Sequence, residues 1–396
     1  MNLNETLWQF ANDPSSEMLD DEAIRDTYVD PAGMEAFIQK WYLAGFVEQG
    51  AGKLKFVQGR PGSGKTHFLR HLGLTLGDLD YQAVLIDAAH TRLAAIDELY
   101  KVVAQQIAWN DLVERAAVRM IQDELGYHDF SGSPREFWGW AQQSRGRSAS
   151  ILHSDVRDAS DRWIGRQGLD AQWGGVMRQW MLRAMEPEGS ENPVTQRWLM
   201  GERIAAAEKK SLGVPGVIDR RNARAMLFSL AVFCHAAGYQ GLAVLIDNGQ
   251  VMATRQRRDD VPYYTRTARD QAYEMWRELI DDSHHAAYLF VMLAASPELF
   301  EDGRLGFPSY PALWSRIQSE IFMTQINRFN DLIDWDRLWS VNHEDLATVE
   351  RVWAARHFQG VRTGEADVVP RSVELDWSPV RRRIAQQLKD ALEGDN

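Results

Sequence analysis

Cysteine is nearly absent from this chain. Cys234 is the only one in 396 residues, so no intrachain disulfide can form, and a reducing, cytoplasmic setting is expected. It follows the apolar run Leu227-Phe228-Ser229-Leu230-Ala231-Val232-Phe233, which predicts a buried filler side chain rather than a nucleophile. No run of about 18 apolar residues exists, so no membrane partner or span is expected. The opening residues Met1-Asn2-Leu3-Asn4-Glu5 are polar and acidic, unlike a secretory leader. His284-His285 lacks Cys or His at ligand spacing, so no zinc site is expected. No Ser-His-Asp set, nuclease-type carboxylate cluster, internal repeat or low-complexity segment stands out. Positive charge is in deficit: the net charge of −12 speaks against a surface coated uniformly for nucleic acid, though not against a local basic groove. Lysine supplies only 8 of the 44 basic residues. The arginine excess suits bidentate phosphate and carboxylate contacts, or reflects codon usage in a GC-rich genome.

What is present begins with Gly59-Arg60-Pro61-Gly62-Ser63-Gly64-Lys65-Thr66, a G-x-x-x-x-G-K-T phosphate-binding loop. Its glycines let backbone N–H groups approach phosphate oxygens, and the positive end of the next helix faces the same anion. Lys65 is expected to reach the β- and γ-phosphates and the Thr66 hydroxyl to hold Mg²⁺. The candidate nucleotide-binding set is Gly59, Pro61, Gly62, Ser63, Gly64, Lys65, Thr66 and His67. The strand-like run Lys53 to Gln58 precedes the loop, and Thr66 to Leu72 has helical periodicity. ATP with Mg²⁺ is the expected ligand.

The remaining pattern is α/β, in a chain long enough for a large core and two or three subdomains. Residues 1–50 read as helical, with Met34 to Phe46 amphipathic, and residues 51–110 as the first part of a P-loop core. That part carries a strand at Tyr81 to Asp87 and a helix from Ala94 to Trp109. Residues 111–216 contain no convincing strand and hold six of the 15 tryptophans, from Trp138 to Trp198; they read as a large helical insertion. The α/β pattern returns over 217–325. It carries helices at Arg221 to Ala237 and Asp270 to Ser283, and buried strands at Gly241 to Asp247 and Ala287 to Ala294. Apolar runs of that kind suit a parallel sheet covered on both faces. Residues 326–396 read as a helical lid or tail. The fold class is therefore α/β, a P-loop NTPase with a parallel sheet flanked by helices, a large helical insertion and a helical C-terminal region.

A P-loop needs an acidic partner on a neighbouring strand. Asp87 and Asp247 each end a hydrophobic strand. In many P-loop ATPases the metal aspartate lies beyond the strand that directly follows the P-loop helix, which favours Asp247 and leaves Asp87 to end a strand or cap a helix. Hydrolytic members usually carry Glu next; this chain has Asn248, which cannot accept a proton but can hydrogen-bond a water. It would then hydrolyse ATP slowly or recruit another carboxylate such as Glu98.

Several ordered blocks carry a family resemblance. Tyr28-Val29-Asp30-Pro31, Phe56 to Gly59 with Gly62 to Arg70, Gly238 to Asp247, Ala294 to Asp302 and Ser309-Tyr310-Pro311-Ala312-Leu313 together resemble the ATP-binding proteins of BREX phage-defence systems (BrxD-like). The blocks cover roughly residues 25–110 and 217–330. The resemblance implies an AAA+-like ATPase related to origin-recognition and loader proteins. It would act in cytoplasmic anti-phage defence with other defence-system proteins and DNA as partners, as a homo- or hetero-oligomer. It implies that Lys65 and Thr66 are the phosphate and Mg²⁺ residues, Asp247 the metal aspartate and Ser296 a polar sensor of the γ-phosphate. Family members generally carry Glu where this chain has Asn248. Arg316 falls where AAA+-like proteins place an arginine finger, or is a surface ion-pairing arginine; Arg371 resembles a lid arginine. The expected function is ATP binding and hydrolysis that controls assembly on DNA or with partner proteins. The alternative is an ATP-binding scaffold or regulatory switch with weak or no hydrolysis and no direct DNA contact.

Two further clusters have two readings each. Arg255-Gln256-Arg257-Arg258 suits a DNA backbone or a neighbouring subunit, or is a solvated loop balanced by Asp259 and Asp260. Phe137-Trp138-Gly139-Trp140, beside Arg135, Arg145 and Arg147, suits stacking on unpaired bases, or is core and docking aromatics.

Overall fold

The structure, a computed structural model, describes residues 20–186, 189, 193–254, 257–317, 327–341, 344–349, 378 and 380. The apolar runs form a single parallel sheet. Its strands are β1 (Gly52–Gln58), β2 (Gln82–Asp87), β3 (Leu242–Asp247), β4 (Leu289–Ala295) and β5 (Leu332–Asp334), in the order β2-β3-β4-β1-β5. Every residue of β3 and β4 is buried, as apolar strands covered on both faces should be. β5 lies inside the stretch read from sequence as helical. Three residues between Asp331 and Trp335 carry too little periodicity to register as a strand, and only pairing with β1 makes them one.

The helices are α1 (Asp21–Thr27), α2 (Met34–Phe37), which continues as a π-helix over Ile38–Val47, α3 (Lys65–Asp78), α4 (Ile96–Gln105), α5 (Trp109–Asp123), α6 (Phe137–Arg145), α7 (Ala149–Arg166), α8 (Ala171–Ala184), α9 (Pro193–Leu199), α10 (Ala206–Leu212), α11 (Ala223–Ala236), α12 (Arg266–Asp281), α13 (Pro297–Glu301), α14 (Pro311–Ile317) and α15 (Trp335–Val341). The one helix expected from Ala94 to Trp109 is instead the whole of α4 and the first residue of α5, with the Trp109 indole N–H closing the junction on Ala104 O at 2.8 Å. Among the described residues, everything between β2 and β3 is helix, turn or loop.

Strand alternation sorts the core into two layers. Leu54, Phe56, Val84, Ile86, Val244, Ile246, Val291 and Leu293 face one way, and the helices between β2 and β3 pack on that side through Trp109, Trp173 and Trp198. This apolar core is continuous, so the tryptophan-rich segment and one face of the sheet share a single interior. The opposite face, with Val57, Ala243, Leu245, Phe290 and Met292, is covered by α3, the Met34–Val47 segment and α15. Cys234 is fully buried in α11, and burial pushes its thiol up, as expected for a filler.

One charge is buried inside β1. Lys55 Nζ donates to Tyr42 Oη and Asn330 O at 2.6 Å each and to Phe329 O at 3.1 Å, and lies 4.0 Å from the Tyr42 ring centre. It thereby ties the chain entering β5 to β1 and to the π-helix. Burial lowers its pKa to about 7, although Asp331, 3.3 Å away, pulls the other way. Between pH 7 and the ordinary lysine value the unfolded chain binds more protons than the folded one. The cost of burying this charge is thus full below pH 7 and is relieved as pH rises. Lys55→Met should destabilise the protein by about 1–3 kcal/mol at pH 7, because three acceptors lose their donor. In urea melts at pH 7 and pH 9, the gap between wild type and variant should widen at pH 9, by up to ~1.4 kcal/mol per pH unit; a gap that narrows would refute this account.

Candidate functional site

β1 delivers the chain to a loop whose shape only its sequence allows. Gly64 has φ +91°, a left-handed conformation that L side chains rarely adopt. A Cβ on Gly59 would stand 2.7 Å from Ser63 Oγ and 3.1 Å from Trp335 Cβ, so that position must also be glycine. Arg60, Pro61 and Gly62 form the exposed tip, while Ser63 and Lys65 are buried. α3 starts at Lys65, so its unpaired N–H groups open onto the loop.

Lys65 folds back into the loop, and its Nζ donates to Gly59 O at 2.6 Å and Arg60 O at 3.1 Å. Burial lowers its pKa, and the carboxylates of Asp247, Asp336 and Glu298 oppose that shift. Thr66 Oγ1 donates to Asp247 Oδ2 at 2.5 Å, joining the start of α3 to the end of β3. Burial raises the Asp247 pKa against the pull of Thr66 and Lys65. A hydroxyl and a buried carboxylate side by side are hard oxygen donors. They suit a divalent cation that takes its remaining ligands from phosphate and water. No group of three or more His, Cys, Asp or Glu able to hold a metal occurs among the described residues, so a permanent all-protein cage is not what is built here.

Asn248 sits at φ 59°, directly beyond Asp247. Its side-chain amide donates to Asp87 Oδ1 at 2.9 Å, and its Oδ1 accepts from Gln250 Nε2 at 3.1 Å. Gln250 Oε1 in turn accepts from Ser296 N at 3.2 Å, and the Ser296 hydroxyl donates to Glu298. A polar row therefore crosses the ends of β2, β3 and β4, and it includes two of the expected site residues, Asn248 and Ser296. Asp87 ends its strand and holds Ala89 N at 2.8 Å as well as Asn248.

Other expected residues lie elsewhere. His67 is buried with Nε2 3.2 Å from Thr27 Oγ1, and burial lowers its pKa to about 4, so the ring is neutral and faces α1. Glu98 accepts from Ala94 N, just before α4, at 2.7 Å and pairs with Arg92 at 3.0 Å; it is not among the carboxylates acting on Lys65. Arg316 forms a double ion pair with Asp281 and reaches Ala312 O. Arg255, Gln256 and Arg371 lie outside the described residues; Arg257 is exposed, 5.2 Å from the Tyr263 ring centre. Phe137 is buried among Tyr127, Phe130 and Trp140, and Trp138 stacks on His153 and donates to Met185 O. These rings are engaged in intramolecular packing. Arg145 pairs with Asp129, Arg135 with Glu114 and Arg147 with Asp155.

The sequence reading missed the C-terminal side of the loop. Asp336 Oδ2 accepts from Arg60 N at 2.9 Å, Trp339 Nε1 donates to Ser63 O at 3.0 Å, and Ser378 Oγ donates to Gly62 O at 2.8 Å. Trp335 stacks on Phe68 of α3 at 4.3 Å. Nothing in Asp334-Trp335-Asp336 spells a motif; only β5 pairing with β1 brings it to the loop.

A family model described as BREX system ATP-binding protein BrxC/D matches residues 42–363 of the chain. Neither the curated proteins nor the solved structures yield a match. The matched span holds the loop, β1 to β5 and all three carboxylates around Lys65.

Asp336 places a carboxylate against a phosphate-binding loop, where its charge opposes an incoming polyphosphate. Burial raises its pKa, with Arg60 N and Lys65 opposing. Asp336→Asn keeps an acceptor for Arg60 N and removes the charge. ATP affinity, titrated with a fluorescent ATP analogue, should rise roughly 3–10-fold at low salt and less at high salt; an unchanged or weaker affinity would refute the repulsion.

Proposed function

The chain belongs to the family of BREX system ATP-binding proteins, and on that premise we propose that it is an AAA+-like ATPase. It uses ATP and Mg²⁺ to control the assembly of a defence complex, on DNA or with partner proteins. Membership makes it an ATP-binding defence-system protein. The observation that carries the rest is the Thr66–Asp247 contact at 2.5 Å beside Lys65. It joins two motifs far apart in sequence at one sheet edge, the arrangement a Mg²⁺–triphosphate needs. The strand order adds support: β4 lies between the P-loop strand and the Asp247 strand, so its exit, with Ser296, falls between the loop and Asp247.

In this role Lys65 would leave Gly59 O and Arg60 O for the β- and γ-phosphates. Backbone N–H groups at the start of α3 would receive phosphate oxygens. Thr66 and Asp247 would hold Mg²⁺, which when bound neutralises charge on the phosphate oxygens. Ser296 would sense the γ-phosphate from the end of β4. Arg316, about one-third exposed, would exchange Asp281 for a neighbouring subunit's nucleotide. No helix among the described residues is long and apolar enough to cross a membrane.

A second role, that of a nucleotide switch with little turnover, is favoured by one observation. Asn248 is held on both sides, by Asp87 and Gln250, and presents no carboxylate to water.

Lys65→Ala should weaken ATP binding at least ~100-fold, the loss of a buried charge contact to phosphate, and abolish any DNA-stimulated phosphate release. Unchanged affinity would sink the nucleotide role itself. Arg316→Ala should cost under about 1 kcal/mol of stability, being a partly exposed pair, while lowering ATP-dependent oligomerisation in light scattering and ATP turnover. If both stay at wild-type levels, Arg316 is a surface ion pair and no finger.

A further inference from the structure

Hydrolysis at this site lacks one part, a carboxylate that can orient the attacking water and take up its proton, because Asn248 supplies only an amide. We propose that Glu298 is that carboxylate, held by Ser296 at the end of β4, the strand between the P-loop strand and the Asp247 strand. The inference rests on the ATP-hydrolysis role proposed above.

The placement is geometric. β4 runs beside β1 in register Gln58↔Ala295, and Gly59 N donates to Ala295 O at 3.2 Å, so the exit of β4 touches the first residue of the loop. Ser296 follows at once and is buried, and its hydroxyl donates to Glu298 Oε2. Glu298 itself is exposed, and Ser296 Oγ is its side-chain partner among the described residues. Its charge reaches Lys65, whose ammonium rests on Gly59 O. A phosphate that drew Lys65 out of the loop would therefore have Glu298 beside it.

The competing carboxylates are committed. Asp247 binds Thr66 Oγ1 and Asn248 N. Asp336 binds Arg60 N, at the tip of the loop. Asp87 holds Ala89 N and the Asn248 amide. Glu98 accepts from Ala94 N. Among the carboxylates of the described residues discussed above, Glu298 combines nearness to Lys65, a single neutral hydrogen-bond partner and solvent access, which a water-activating group needs.

The step balances without a further reactant. The oxygen of a water polarised by Glu298 forms a bond to the γ-phosphorus as the bond from that phosphorus to the β,γ-bridging oxygen breaks. The bridging oxygen leaves with the electron pair on ADP. The proton of the water passes to the Glu298 carboxylate and then to solvent, and inorganic phosphate is released. Asn248, in the same polar row, then has a smaller part, donating or accepting one hydrogen bond to that water.

The test uses the full chain: wild type, Glu298→Gln, Glu298→Asp, Asp87→Asn and Lys65→Ala. Binding of a fluorescent ATP analogue with Mg²⁺ and phosphate release are both measured, with and without duplex DNA, from pH 5 to pH 9. Glu298→Gln should bind nucleotide within threefold of wild type yet release phosphate at least ~100-fold more slowly. It should also lose the acidic limb of the pH profile, and Glu298→Asp should restore part of the rate with that limb. A purely structural role for Glu298 would change the rate without removing the limb. The proposal is overturned if Glu298→Gln keeps its rate within threefold. It is equally overturned if wild type binds ATP but never releases phosphate, or if Asp87→Asn removes turnover where Glu298→Gln does not. Should Glu298→Gln fail to bind nucleotide, the pH profile of Glu298→Asp decides: an acidic limb unmoved from wild type rejects the proposal. Unaltered nucleotide binding in Lys65→Ala instead rejects the underlying nucleotide role, a separate outcome.

Discussion

The Thr66–Asp247 hydrogen bond depends on where four strands stop. β2 and β3 end together, with Asp87 opposite Asp247, and β1 and β4 end together, with Gln58 opposite Ala295. Because the strands are parallel, the four exits fall at one end of the sheet, and Asp87, Asp247, Asn248, Gln250 and Ser296 each lie within three residues of an exit. Shifting β3 by one residue would turn its alternate residues onto the wrong face and carry Asp247 away from the loop. The two-layer core prevents such a slip, since Val244 and Ile246 belong to one interior and Ala243 and Leu245 to the other. Packing thus fixes the register, and the register places the chemistry.

The same constraint gives the tryptophan-rich helices their structural meaning. They enter between β2 and β3, at the edge of the sheet, and share one interior with its face. Trp173 and Trp198 are fully buried there, and truncating either would remove interactions worth about 3–5 kcal/mol. Contacts made by Leu112 or Met177 therefore support β3 through a continuous interior, although neither residue touches the loop.

The parts of the site that the sequence spelled out are those with short-range grammar. The loop could be read because glycine spacing and Lys65-Thr66 are local requirements of phosphate binding. β3 and β4 could be read because buried parallel strands are continuously apolar. Other parts had no such grammar. β5 is three residues long, and Asp336, Trp339 and Ser378 reach the loop only through tertiary pairing. Glu298 lies three residues past the end of β4, beside Ser296, and no motif marks it. Glu98 looked available because its bond to Ala94 N is a matter of side-chain rotamer, invisible in sequence. Phe137 and Trp138 advertised a stacking surface but are engaged with neighbouring rings and Met185 O.

The position of β1 between β4 and β5 also governs how the protein comes into being. β1 is the first strand of the described residues to leave the ribosome, yet both of its sheet neighbours are encoded late, from Leu289 and Leu332. At ordinary translation rates the nascent chain carries that strand with both edges open for ~10–50 s. Such long-range pairing makes folding slow and leaves an apolar edge available to other chains meanwhile. The polar ends of the early segment, from Lys53 to Arg60, blunt that hazard. The loop cannot reach its final shape until Trp335, Asp336, Trp339 and Ser378 have emerged, so the first strand's loop is finished by residues made 276 or more positions later.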